Sequence, residues 1–329
     1  MKISFPAMAT EVVVWCPSAG EAAALAADCR RLVEDIEASL SRFRPGSDVA
    51  RLTAATGSWT AVGTHAAAVL TAAARLRAAT DGLFDPAPGR TLAVDTAAGL
   101  ARLGRTGSAD PAGGVIGPAV GLDLGGIAKG YTADAVVALC RRRGVADVMV
   151  SVGSSSIAVA GHGPGGSAEN ERLTGWTAGQ RPTTPTDGAV PGRGRPWRVG
   201  IRSPGAADNQ ILGVLALAAG ALSTSGTDRR GNHIIDPRTG RPAASGVVQA
   251  SVAAASGMTA EAYSTALVVG GVEWAARLAG PGDAAQAILV TADAVLAGAD
   301  LAGSFRPAPM TGQARPQRRS GSGRPATGR

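Results

Sequence analysis

The chain has 329 residues, 45% hydrophobic and 17% charged, which suits a packed core of one large domain or two ordinary ones and excludes disorder of the whole. The net charge of +7 would fit a polyanion partner, but residues 304 to 329 hold six Arg and no acid, so the body is near neutral and no nucleic-acid partner is expected. Cys16, Cys29 and Cys140 lack the spacing of a zinc site or a disulfide framework, and no membrane span or export signal is visible, so a cytoplasmic location is expected.

In chain order, Glu11 to Cys16 closes a β-rich opening over residues 2 to 16. From Glu21 to about Leu40 the apolar positions Leu25, Cys29, Leu32, Val33, Ile36 and Leu40 recur at three and four, which predicts a helix with Ser18 as a possible cap. A second, Ala-rich helix is expected over residues 65 to 79, stopped by Asp81-Gly82. The Gly, Pro and Ala of residues 85 to 118 read as short helices and loops. A strand into Leu122-Asp123-Leu124, a Gly-Gly turn and a helix from about Ile127 to Arg143 form the clearest unit, closed by Gly144. Strands follow at Val145 to Val152 and Ile157 to Ala160.

Residues 161 to 196 carry almost no large apolar side chain and read as a flexible insertion. Strands are then predicted at Trp197 to Ile201, Val214 to Leu217, Val247 to Ala254 and Ala287 to Thr291, with an amphipathic helix over Thr259 to Ala279. Consecutive strands on short links favour an α+β body with largely antiparallel sheet. The expected organisation is one domain over 1–303 and a disordered Arg-rich tail over 304–329.

Four pieces could carry chemistry. Asp123 to Gly130 places two glycines, a helix N-terminus and Lys129 together, which suits a phosphate-bearing ligand. Leu222 to Gly226 and Asn232 to Gly240 pack hydroxyls, an imidazole and a carboxylate into a loop region, where His233, three residues before Asp236, is suited to proton transfer. Glu261 and Thr265, four apart, lie on one face of a helix and offer two oxygen ligands to a hard cation. Phe84 and Asp85, in the turn that starts at Thr80, could stack on and hydrogen-bond a planar heterocycle. Each has a plainer reading, as a tight turn, a surface acid or a hydrophobic plug.

In this order the pieces resemble the ApbE family of flavin transferases, which move FMN from FAD onto a Thr or Ser of a target protein. The resemblance covers roughly residues 3 to 292, rests within the second piece on Thr224-Ser225-Gly226, and adds Met8-Ala9-Thr10 and Ser41 to Pro45 with Ser47 to the four pieces. It implies a T-fold type α+β body and a cleft where Met8, Phe43, Leu83, Phe84, Asp85, Asp123, Lys129 and Ile235 contact FAD. It also implies Mg²⁺ held by the Gly126 carbonyl, Glu261 and Thr265, with AMP released and His233 the candidate for positioning or deprotonating the acceptor hydroxyl. The partner would be a flavoprotein carrying that Thr or Ser. The family usually has Gly at position 9, Asp at position 261, and Gly-Gly with a polar residue where this chain has Gly153-Ser154-Ser155. A non-catalytic FAD-binding relative is the alternative that Glu261 keeps open.

Overall fold

A computed structural model describes residues 1–16, 22–105, 121–163, 195–205, 210–227, 233–279, 285–298, 301 and 304–308. The expectations for Ser18, for the stretch 106–118, for most of the insertion and for the tail beyond 308 lie outside these residues.

The β-rich opening folds as a hairpin, β1 (Lys2–Ala7) antiparallel to β2 (Thr10–Trp15), with Ala7 opposite Thr10. Only Met8 and Ala9 turn the corner, and both are left-handed, at φ 53° and 56°. Two such residues give the turn a twist that matches the strands, at a cost of about 1 kcal/mol each for side chains other than Gly. The first helix forms as expected, α1 (Ala22–Leu40), burying Leu25, Cys29, Val33, Ile36 and Leu40. A short helix, α2 (Asp48–Ala54), was not legible in advance; Ser47 caps it by accepting from the Ala50 N–H at 3.0 Å. After β3 (Thr60–Ala61) comes the Ala-rich helix α3 (Thr64–Ala79), ended by left-handed Asp81 and Gly82.

Two expectations fail in the next segment. Instead of short helices, residues after 85 form the hairpin of β4 (Arg90–Asp95) and β5 (Leu100–Arg105), because Ala101 and Leu103 alternate with exposed Arg102 and reach the core. Leu122-Asp123-Leu124 is not a strand: the Asp123 N–H donates to the Pro86 carbonyl at 2.8 Å, and Pro86 has no N–H with which to extend a ladder. The helix that follows is α4 (Ala128–Arg142), with Gly144 left-handed at φ 81° just beyond it.

The remaining strands are β6 (Val148–Val152), β7 (Ser156–Ala160), β8 (Trp197–Arg202), β9 (Ile211–Leu217), β10 (Ala219–Gly226), β11 (Ile235–Asp236), β12 (Arg241–Pro242), β13 (Val247–Ala254), β14 (Gln286–Thr291), β15 (Val295–Ala297) and β16 (Phe305–Pro307). The last helix, α5 (Gly257–Ala275), is capped by Ser256, kinks at left-handed Gly271 and passes into a 3₁₀ turn over Ala276–Ala279. β10 corrects the reading of Leu222 to Gly226 as loop. Two of its three hydroxylic side chains find partners, Thr224 with Ser251 in the sheet at 2.8 Å and Ser225 with Ser264 on α5 at 2.8 Å, while the buried Ser223 hydroxyl has none among the described residues, so a polar sequence sits in a central strand.

Among the described residues the main sheet runs β1-β2-β6-β7-β10-β13-β14-β15, antiparallel at every pairing. Alternation along the strands divides the core. Val148, Val150 and Val152 face Val33, Val136 and Cys140 of α1 and α4. Met149, Val159 and Leu222 face the three-stranded sheet β16-β9-β8, packing on Trp197, Ile201, Leu215 and Phe305. This is an α+β sheet with helices on one face and a small sheet on the other. Phe305 therefore anchors residues 304–308 to the body, where disorder was expected from 304 onward. The three cysteines are buried and free.

Candidate functional site

The antiparallel register brings one end of the main sheet to the N-termini of α4 and α5. Val12 pairs with Val152, Ser156 with Ser223 and Gly226 with Gln249, so the Met8-Ala9 turn, the Gly153 turn and the end of β10 share that end. Gly153 donates its N–H to the Glu11 carbonyl at 2.8 Å, and Thr224 donates to the Ser155 carbonyl at 2.8 Å.

The corner between Asp123 and α4 is tightly built. Asp123 accepts from the Gly125 N–H at 2.9 Å through one carboxylate oxygen and pairs with Arg42 at 3.0 Å through the other. Gly126 packs closely here, since a β-carbon would lie 3.2 Å from the Phe84 ring, which would have to give way by a few tenths of an ångström, and 3.5 Å from Thr265 Oγ1, an ordinary contact. Lys129 Nζ donates to the Gly125 carbonyl at 2.9 Å and to Glu261 Oε1 at 2.5 Å, while Glu261 Oε2 accepts from the Gly130 N–H at 2.7 Å. Glu261 is 3% exposed, and these two donors engage both of its carboxylate oxygens. Thr265 Oγ1 donates back to the Glu261 carbonyl at 3.1 Å and lies 3.3 Å from Ser225 Oγ, which pairs with Ser264 at 2.8 Å. Asp123, Gly126, Lys129, Glu261 and Thr265 are thus one constellation, drawn from positions more than a hundred residues apart.

Phe43 is presented on the 41–47 loop. Ser47 fixes that loop by donating to the Ser41 carbonyl at 2.6 Å, leaving Phe43 81% exposed with the Arg42 guanidinium 4.7 Å from its ring centroid. Arg42 therefore ties the aromatic to Asp123. Met8 donates its N–H to Glu37 at 3.2 Å and receives the Thr132 hydroxyl on its sulfur at 3.3 Å, which places it between α1 and α4. Leu83 and Phe84 are buried in the core, and Phe84 meets this corner through its ring edge at Gly126. Asp85 is half-buried as a residue, with its side chain 5% exposed. Burial pushes its carboxyl up, while the Ala87 N–H and Arg77, at 2.9 Å, pull it down, so its side chain serves the turn.

Ile235 is 44% exposed and His233 is exposed, on either side of buried Ile234. Ile234 packs in the same core cluster as Phe84 and Ile127 and accepts from the Ala243 N–H at 2.9 Å, which anchors the strip that carries both. Asp236 is claimed by Arg238, whose Nη2 donates at 2.7 Å and Nε at 2.9 Å, and this guanidinium holds the carboxyl below its ordinary range.

Asp134 went unnoticed in the sequence, where an acid inside the Ala133 to Val137 run of α4 was the available signal. It accepts the Gly257 N–H through both oxygens, at 2.9 and 2.8 Å, and so caps α5 from α4. Desolvation raises its pKa to about 6, against the pull of the Gly257 and Met258 N–H groups. The folded state therefore holds this proton more tightly than the unfolded chain. The stability it contributes is full below the unfolded value near 3.8 and is lost as pH rises through about 6. In thermal melts across that window, the Asp134→Asn variant should lack this share of the decline. A difference from the parent protein that stays flat across the window would refute the assignment.

The donor set suits a hard divalent cation: a backbone carbonyl at Gly126, a hydroxyl at Thr265 and a carboxylate at Glu261, all oxygen. No cluster of three or more His, Cys, Asp or Glu that could hold a metal occurs among the described residues. A cation here would thus rely on one carboxylate and on oxygens of a ligand.

The ApbE family model matches residues 8–289. The FAD:protein FMN transferase of Escherichia coli (strain K12) is 31% identical over 164 residues, 47% of this chain and 38% of that protein. The protein of the same name from Vibrio cholerae serotype O1 is 28% identical over 290 residues, 78% of this chain and 76% of that protein. The matched stretch spans well under two thirds of the Escherichia coli relative, at 38% of its length. Among solved structures, the ApbE protein of Thermotoga maritima superposes with a TM-score of 0.68 at 21% identity, covering 91% of this chain and 97% of that one. The flavin transferase ApbE of Vibrio cholerae gives 0.65 at 24% identity, covering 92% and 97%. The family match extends over most of the chain. The chain belongs to the ApbE family.

Proposed function

We propose that the protein transfers FMN from FAD to a Thr or Ser hydroxyl of a target flavoprotein, with Mg²⁺ as cofactor and AMP as the leaving group. The observation that carries this reading is the single oxygen-lined corner formed by Gly126, Glu261 and Thr265 beside the Lys129 ammonium, which suits a metal-bound pyrophosphate. The names of the relatives, FAD:protein FMN transferase, support FAD as the substrate.

In the reaction, the acceptor oxygen forms a bond to the phosphorus of the FMN half. The bond from that phosphorus to the bridging oxygen breaks, and AMP departs with that oxygen. The hydroxyl proton goes to a base, the role we assign to His233. Phe43, exposed and tied through Arg42 to Asp123, offers a face for a planar ring, and Ile235 a second apolar contact. Met8, Leu83, Phe84 and Asp85 complete the proposed FAD site, the last three from behind as its wall. Gly126, Glu261 and Thr265 would hold Mg²⁺, which would supply Lewis-acid polarisation of the phosphoryl oxygens.

The second reading, an FAD-binding relative without transfer, draws on the Lys129 pairing that already occupies Glu261. Incubation with FAD, Mg²⁺ and co-expressed candidate flavoproteins separates the two. Transfer gives stoichiometric AMP and a target heavier by one FMN, seen by intact-mass spectrometry. Bound FAD with neither product would favour the carrier.

A further inference from the structure

The Lys129–Glu261 pair constrains how the corner can fill. Lys129 Nζ sits 2.5 Å from Glu261 Oε1, and the Gly130 N–H takes Oε2, so both carboxylate oxygens are engaged. The two differ in their access to water: the Lys129 side chain is 22% exposed and the Glu261 side chain alone 4%. Lysine has a way out of the corner, whereas the carboxylate has none and needs a positive partner at all times. Asp134, the other acid near Glu261, is already served by the α5 N-terminus through Gly257.

Charge accounting then links the ligands. Lysine and glutamate alone cancel. Adding a divalent cation leaves the pocket with an excess of two positive charges, which a low-dielectric corner disfavours. The FAD pyrophosphate carries two negative charges and restores neutrality. Resting on the reading of this corner as the Mg²⁺ and pyrophosphate site, we infer that Lys129 is a positioning residue that reserves Glu261 and surrenders it to the metal only when the nucleotide phosphates receive the ammonium. Metal and FAD thereby bind with positive coupling, each raising affinity for the other by the same factor.

The test uses Mn²⁺ as a paramagnetic probe, titrated against the full chain with and without FAD. Four proteins are compared: the parent, Lys129→Met, Lys129→Gln, which keeps a donor to Glu261 but not the charge, and Glu261→Gln. Circular dichroism verifies the fold. Without FAD, the two Lys129 variants should bind Mn²⁺ about tenfold tighter than the parent, and the gain from adding FAD should shrink by a similar factor. If both bind Mn²⁺ no tighter than the parent while Glu261→Gln still weakens the metal in the presence of FAD, the metal site stands and the role of Lys129 is overturned. If Glu261→Gln leaves Mn²⁺ affinity with FAD unchanged, the metal site itself is misplaced and the inference falls with it.

Discussion

Gly130→Ala is expected to destabilise the protein by about 3 kcal/mol, the upper part of the range for forcing extra volume into a packed interior. A β-carbon on Gly130 would overlap the Gly257 carbonyl, and one on Gly257 would overlap the Gly130 carbonyl, so α4 and α5 cross backbone against backbone. Neither obstacle is a flexible side chain, so the helices themselves must separate. Separation would lengthen the Gly130 N–H to Glu261 bond and the Asp134 cap of Gly257 together. Denaturant unfolding measures the loss. Gly46→Ala is the control, since nothing lies within 4 Å of a β-carbon there, and its change should stay within about 0.5 kcal/mol. Equal effects at the two positions would show that the close crossing is not what requires glycine.

His233→Ala should reduce FMN transfer by about a hundredfold to ten-thousandfold, the usual contribution of a positioned acid or base, while FAD affinity changes by less than about twofold. The imidazole is exposed on the strip anchored by Ile234, and the carboxylate two positions before Arg238 is committed to that guanidinium. A side chain in that position can act on the incoming hydroxyl without shaping the FAD pocket. Single-turnover AMP release, set against fluorescence titration of FAD, reads the two quantities separately. Losses of equal size in both would make His233 a structural or ground-state binding residue.

Much of this corner could be read from local sequence, because its parts are short turns with strong chemical signatures. The Gly125-Gly126 turn before a helix, the hydroxyls of Thr224 and Ser225, and Glu261 four positions from Thr265 all announce themselves within a few residues. The failures share a cause as well. Apart from Leu222, β10 is spelled with Ala, Gly, Ser and Thr, and its place in the sheet depends on neighbours at β7 and β13 that no local pattern contains. The β4–β5 hairpin likewise depends on a core that accepts Ala101 and Leu103. The pairing of Lys129 with Glu261 spans 132 residues and the Arg42 link to Asp123 joins a loop to a turn, so only the assembled fold reveals either.

The order of the main sheet has a kinetic consequence. The N-terminal hairpin finds its neighbour only at β6, where Val12 meets Val152, and β7 pairs not with the next strand in sequence but with β10. Such distant pairings are slow to form, because a long loop must close before any contact offsets its entropy. The proposed nucleotide corner needs both halves: Met8 and Lys129 from one side of that closure, Ser225, Glu261 and Thr265 from the other. A partly folded chain therefore has no site to offer. If the protein binds FAD there as proposed, the ligand engages only the completed structure, so it should slow unfolding and leave the refolding rate unchanged, and the flavin would report the last event in folding.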